Sequence, residues 1–188
     1  MNNSLLYYSV GALLYCPANR KNIVESIVRH RFGTKYSLAL CLEDTIRDDS
    51  VTEAEHILTQ TLHSLYAQSV QHNFYMPKLF VRVRNAQQIG RIRKAFGESA
   101  QLVTGFILPK FSLENADSYI QEVIKANEAI STPVYAMPIF ESPSIIDLRN
   151  RSEILYTLKE KLDMIEDRIL NIRVGGNDLC HMFGFRRH

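Results

Sequence analysis

Six short, almost unbroken apolar runs recur along the chain, at Val10–Cys16, Ser37–Leu42, Lys78–Val83, Leu102–Leu108, Pro133–Ile139 and Ile169–Val174. They lack strict polar alternation, which is how strands buried on both faces read. Between them the pattern changes to that of an amphipathic helix. Thr52–His72 repeats apolar residues at Ile57, Leu58, Leu62, Leu65 and Tyr66, and Asn150–Arg168 at Ile154, Leu155, Leu158, Leu162 and Ile165. Asn19–His30 sets Ile23, Ile27 and Val28 to one side. Leu113–Ile130 follows Ser112, a favourable N-cap residue, and carries Ile120, Val123, Ile124 and Ala126. Ala86–Phe96 shows a weaker helical pattern. This alternation predicts βαβ units and a parallel sheet, the helices supplying right-handed crossovers. No Gly-, Ser- or Pro-rich linker breaks the series, so residues 1–188 are expected to form one domain. A closed barrel and an open doubly wound sheet both fit. The absence of G-x-G-x-x-G after the first run weighs against a dinucleotide fold.

Composition narrows the function classes. A chain of 188 residues with 46% hydrophobic and 22% charged residues can bury a substantial core. A net charge of +2 gives no reason to expect a nucleic-acid or membrane surface. The apolar stretch Leu102–Pro109 is far short of a membrane span. The basic Arg91–Lys94 cluster reads as a solvated helix face. The N-terminus has no basic flank before an apolar stretch, so a cytoplasmic location is expected. Cys16, Cys41 and Cys180 are odd in number and widely spaced, which fits reduced thiols rather than disulfides or a zinc site.

In parallel α/β proteins chemistry gathers beyond the carboxyl ends of the strands. The residues that end or follow the six runs include Arg20, Glu43-Asp44, Arg82 with Arg84, Lys110, Glu141 and Gly175-Gly176-Asn177-Asp178. Each has an ordinary explanation. Asp44 and Asp178 suit helix caps, Glu43 and Arg82 an interior ion pair, Lys110 the surface, and Glu141 a turn. Their arrival at successive strand ends favours a site instead. Glu141 and Asp178 end adjacent strands five and six. Two such carboxylates suit a hard divalent cation, with waters and substrate oxygens completing its shell. Gly175 and Gly176 would let a substrate approach the backbone. Arg82 and Arg84, two apart on one strand face, would neutralise substrate acid groups. Glu43 and Asp44 would hold metal waters or orient an arginine. A metal so placed would stabilise the enolate formed when an aldol- or Claisen-type bond breaks. Schiff-base chemistry at Lys110 is a lesser alternative.

These residues resemble the citrate lyase beta-subunit, or HpcH/HpaI aldolase, superfamily along the whole chain. Leu14-Tyr15-Cys16-Pro17-Ala18-Asn19-Arg20 looks like its first-strand F-x-P-x-x-R element. Leu40-Cys41-Leu42-Glu43-Asp44 is similar to L-D-L-E-D, with Cys41 replacing the first aspartate. Val81-Arg82-Val83 matches the V-R-V/I-N strand, with Arg84 where asparagine is usual, and Leu108-Pro109-Lys110 matches L-P-K. Ile139-Phe140-Glu141-Ser142 stands where the family has I-E-T-A-R-G, and Val174–Leu179 resembles G-x-x-D-L. The Val-Arg-Val-Arg-Asn, Gly-Phe-Ile-Leu-Pro-Lys-Phe, Met-Pro-Ile-Phe-Glu-Ser and Gly-Gly-Asn-Asp stretches, with Phe185-Arg186-Arg187, resemble one divergent branch more closely. That branch is the C–C bond lyases of the TIM-barrel fold, found near tellurite-resistance and stress genes.

The resemblance implies a (β/α)8 TIM barrel and a lyase or aldolase cleaving a carboxylated small molecule, with a coenzyme A thioester as one form of it. It implies Mg²⁺, with Mn²⁺ as a substitute, at Glu141 and Asp178. Arg82 and Lys110 would contact substrate, Arg20 would lie near substrate or coenzyme A, and Glu43 and Asp44 would give water-mediated support. A homo-oligomer, trimer or hexamer, is also implied. The loss of T-A-R-G and the presence of Arg84 depart from the family at the substrate end and leave the metal pair intact. A (β/α)8 barrel spans about 250 residues, so only about six of eight units are expected here. The chain reads as a truncated barrel, and the alternative function is an inactive remnant acting as a binding or assembly subunit.

Overall fold

Each of the six apolar runs contributes a strand, and the strands pair in parallel in chain order: β1 (Ala12–Pro17), β2 (Tyr36–Cys41), β3 (Lys78–Arg82), β4 (Val103–Leu108), β5 (Tyr135–Phe140) and β6 (Arg173–Val174). This is a computed structural model that describes residues 4–185; Arg186 and Arg187 of the last motif lie outside the described residues. The strand order 1-2-3-4-5-6 never reverses, whereas a doubly wound sheet reverses at its switch point. The ambiguity left by the sequence therefore resolves to barrel-type winding. Helices α1 (Ser4–Tyr8), α2 (Ile23–Val28), α3 (Val51–Gln71), α4 (Ala86–Phe96), α5 (Ala116–Ala129), α6 (Arg151–Asp163) and α7 (Gly176–Met182) complete the series. Among the described residues, no helix is long and apolar enough to cross a membrane. All three cysteines are free.

The sheet curls. Arg173 on β6 donates a hydrogen bond to the Tyr15 hydroxyl on β1, and its guanidinium carbon lies 5.3 Å from the Tyr15 ring centroid. Four strands separate β1 from β6 in the sheet, so only a concave arc brings these side chains together. Two apolar layers follow. On the convex side Leu38, Leu40, Leu79, Val81, Phe106 and Leu108 share one cluster with Leu58, Leu62 and Leu65 of α3, Ile89 and Ile92 of α4, and Ile120 and Val123 of α5. On the concave side a smaller cluster holds Val10, Ala39, Phe80, Ile107, Met137, Ile139 and Leu170. Successive residues of a strand alternate between the two. Gly105 sits where a methyl group would strike the Tyr135 carbonyl oxygen, so the lack of a side chain admits β5 alongside β4.

Several boundaries differ from expectation. The first helical pattern forms helix only over Ile23–Val28. Helix α5 begins at Ala116, not after Ser112, because the Asn115 side chain accepts the Ser112 N–H in a local turn. The sixth run pairs only at Arg173–Val174, with an isolated bridge from Ile169 to Ala136. Strand β3 stops at Arg82, so Arg84 does not share its face. The Arg84 guanidinium turns instead to the carbonyls of Leu42 and Ile46 and to Asp48, tying down the segment after β2.

Candidate active site

The rim of the arc is set by where each strand lets go. Arg82 is the last residue of β3, and Glu43 lies two residues past Cys41, the end of β2. Lys110 and Glu141 follow β4 and β5 at two and one residues, and Asp178 lies in the first turn of α7. Arg82 binds Glu43 (Nη2–Oε2 2.7 Å) and Asp44 (Nη1–Oδ2 2.8 Å), and approaches Glu141 (Nη2–Oε1 3.5 Å). Its Nε–H is buried without an acceptor among the described residues. The Lys110 ammonium meets Glu43 Oε1 at 2.8 Å, while its backbone N–H donates to Glu141 Oε1 at 3.1 Å. Two acids are thereby held by one lysine, through different parts of it.

Lys110 does this from a left-handed backbone, φ 51°, a conformation that L residues other than glycine, asparagine and aspartate seldom adopt. Strain of this kind gathers at functional sites. Pro109 ends the strand ahead of it, and the Asn115 amide donates to the Lys110 carbonyl at 2.9 Å, so the turn is fixed from both sides.

Glu43, Asp44 and Glu141 are electrostatically distinct. Burial pushes Glu43 up, helped by Asp44, against the pull of Lys110 and Arg82. Burial also raises Glu141, with the negative charges of Asp178 and Glu43 adding to it and the Lys110 N–H and Arg82 opposing. Asp44 experiences some burial too, yet hydrogen bonding to Glu43 and the charges of Arg82 and Lys110 outweigh it, holding its carboxyl down. Lys110 is raised by its bond to Glu43. A Schiff-base lysine needs the opposite shift, so the site disfavours that alternative.

Two cavities open on this cluster. One, about 740 Å³, is lined by Asp44, Lys110, Glu141, Ser142, Asp178 and His181 among others. The other, about 460 Å³, includes Tyr15, Arg82, Glu141, Arg173, Gly175 and Asp178. Asp44, Glu141 and Asp178 border both. Gly175 has a more local reason than substrate approach: a methyl group there would collide with the Glu141 carboxylate. Gly176 faces open space on the cavity wall. Arg20 is not brought here. The chain turns tightly after β1, Arg20 N–H donating to the Pro17 carbonyl at 3.1 Å, and its side chain lines a separate cavity of about 240 Å³ on the helix side of β1. Sequence reasoning missed Tyr15, Arg173 and His181. A charged residue inside the sixth apolar run was the available signal for Arg173.

The donor set fits a hard cation. Among the described residues no three His, Cys, Asp or Glu side chains gather tightly enough to enclose a metal by themselves. Two carboxylates, Glu141 and Asp178, on the wall of a water-accessible cavity suit an ion that keeps waters and substrate oxygens as its other ligands. Burial is the main cause that raises Glu141, and the like charges of Asp178 and Glu43 that add to it are what a divalent ion would relieve.

The family model described as C-C bond lyase of the TIM-barrel fold matches residues 4–188. The chain belongs to that family. No curated protein matches. Among solved structures, the chain is similar to the CitE protein of Mycobacterium tuberculosis in complex with magnesium and acetate, at 19% identity and TM-score 0.56, covering 100% of this chain and 62% of that one. It is similar to the citrate lyase beta subunit of M. tuberculosis complexed with oxaloacetate and magnesium, at 15% identity and TM-score 0.54, covering 97% and 65%. A CitE complex with magnesium, acetoacetate and coenzyme A is matched at 15% identity and TM-score 0.51, covering 96% and 54%. At such identities the likeness concerns the fold, and the chain spans less than two thirds of the length of these neighbours. Six β/α units of the family's barrel are present.

Proposed function

We propose that this rim is the active site of a Mg²⁺-dependent carbon–carbon lyase or aldolase acting on a carboxylated substrate, a coenzyme A thioester being one form of it. The observation that carries the reading is the convergence of Glu43, Asp44, Glu141 and Asp178 with Arg82 and Lys110 at the strand ends. Family membership supports it, as do solved neighbours that hold magnesium with acetate, oxaloacetate or coenzyme A.

Glu141 and Asp178 would hold the cation. When bound, a divalent cation supplies Lewis-acid stabilisation of the negative charge that develops on a substrate oxygen as the bond breaks. The protein's own groups do the rest. Arg82 locks Glu43 and Asp44 in place from beneath. Those two acids sit side by side with their affinities for a proton pushed apart, Glu43 up and Asp44 down. Such pairs mark acid–base assignments. Glu43 is the group suited to carry a proton, and Lys110 Nζ at its Oε1 sets the direction of that carboxyl. Asp44, half exposed and ionised, orients Arg82.

The test is calorimetric titration of Mg²⁺ into the wild type and Asp178→Ala. Mg²⁺-linked heat in the wild type and its loss in the variant are expected; no such heat in the wild type would sink the reading.

A further inference from the structure

The cations of the rim are not equivalent. Arg82 is engaged by Glu43, Asp44 and Glu141, and Lys110 by Glu43. Arg173 differs. Among the described residues no carboxylate lies within ion-pairing distance of it, and its partners are the hydroxyl and ring face of Tyr15. Arg173 pairs in register with Ile139, a member of the concave cluster, so it points inward, to the side where the neighbouring β5 presents Met137 and Ile139. It also lines the cavity bordered by Asp44, Glu141 and Asp178.

A guanidinium beside Ile139 and Val174 on the wall of this cavity, with no anion paired to it among the described residues, keeps its capacity to bind one. Its planar fork takes a carboxylate through two parallel N–H···O bonds. Tyr15 fixes the guanidinium through the π face and the phenol oxygen without neutralising its charge. We propose that Arg173, seated against Tyr15, receives a second anionic group of the substrate, so that this site selects dianions. One end of the molecule lies at Glu141 and Asp178, and the other carboxylate, or a comparable anion, lies on Arg173. The inference rests on the metal-site reading for the first end only.

L-Malate and L-lactate share a 2-hydroxy acid end and differ chiefly in the second carboxylate, which makes them suitable probes. Each is titrated into the wild type, Arg173→Gln, Arg173→Lys and Tyr15→Phe, with and without Mg²⁺, and Mg²⁺ alone is titrated in parallel. The wild type is expected to favour malate by roughly 10-fold, the size of one charge-assisted pair. Arg173→Gln brings the ratio to about one while Mg²⁺ affinity, lactate affinity and Tm stay unchanged; a purely structural arginine would instead move Tm and leave the ratio. Arg173→Lys keeps the charge and restores part of the preference, and Tyr15→Phe lowers it by roughly 2- to 3-fold. A malate preference that survives in Arg173→Gln, or no preference in the wild type, overturns the assignment. A wild-type malate preference, with affinities for both acids that do not change when Mg²⁺ is added, supports Arg173 as the anion receptor and overturns the metal reading alone.

Discussion

The two sides of the curved sheet obey different rules. On the convex side β2, β3 and β4 offer leucine, valine or phenylalanine to the helices, and among the described residues that cluster has 36 buried hydrophobic members, against seven on the concave side. The concave side is small, and toward its rim the apolar residues give way to Arg82, Glu43 and Glu141, all nearly inaccessible. One face is held by burial of apolar area. The other is held by charges that stabilise one another and would cost several kcal/mol each if left alone. The lesson is that stability and chemistry are separable here, face by face.

That separation can be broken most sharply at Arg82. Arg82→Leu leaves Glu43 with Lys110 alone and takes from the buried Glu141 the guanidinium beside it, and we expect a loss of about 3–5 kcal/mol in denaturant unfolding. Leu62→Ala on α3 removes a fully buried side chain from the convex cluster and should cost about 2–5 kcal/mol. Mg²⁺ heat per folded molecule should be unchanged in that variant, so a loss of binding would show the faces to be coupled.

Glu141→Gln sharpens the contrast in the opposite direction. Glu141 is raised above its unfolded value, so the native state holds that proton more tightly. Its ionised form therefore lowers stability above the raised value, and stability recovers as the pH falls toward the ordinary carboxylate range. The glutamine variant should melt higher than the wild type near neutral pH and lose its Mg²⁺ heat. A lower Tm would count against a functional reason for the buried acid.

Smaller effects come next. Lys110→Gly relieves the left-handed backbone where Lys110→Ala does not, so the glycine variant should be the more stable of the two by about 1 kcal/mol. On the convex side Glu55 is partly buried, but bonds from Arg91 and Gln88 outweigh that burial and hold its carboxyl down. Its contribution is present above the ordinary carboxylate value and fades as the pH drops through the lowered one. Glu55→Gln should flatten that acid limb of the stability curve by a few tenths of a kcal/mol, given the exposed arginine.

The convex face was the legible one. Leu79 and Val81 of β3 and the stripe Leu58, Leu62, Leu65 announce strand and helix through period alone. The acids and Lys110 were legible as residues at strand ends, because parallel sheets put strand ends on one rim. What escaped was conformational. No pattern separates Arg82 from Arg84 until the strand is seen to stop between them. Nothing in Leu-Pro-Lys shows that Lys110 crosses into positive φ. Asn115 displaced Ser112 at the start of α5 because both are good turn residues and geometry decides between them. Arg173 and Tyr15 were absorbed into apolar runs, since periodicity counts neighbours along the chain and they meet across the arc.

The contact between Gly175 and Glu141 ties two positions 34 residues apart into one heritable unit. Any side chain introduced at 175 evicts the acid from its seat as surely as deleting it, although no ligand is removed. A lineage that keeps glutamate at 141 is thus bound to keep glycine at 175, while one that has abandoned the acid is released from that obligation. Reading those two columns together across related genomes would sort working copies from relics before any protein is purified.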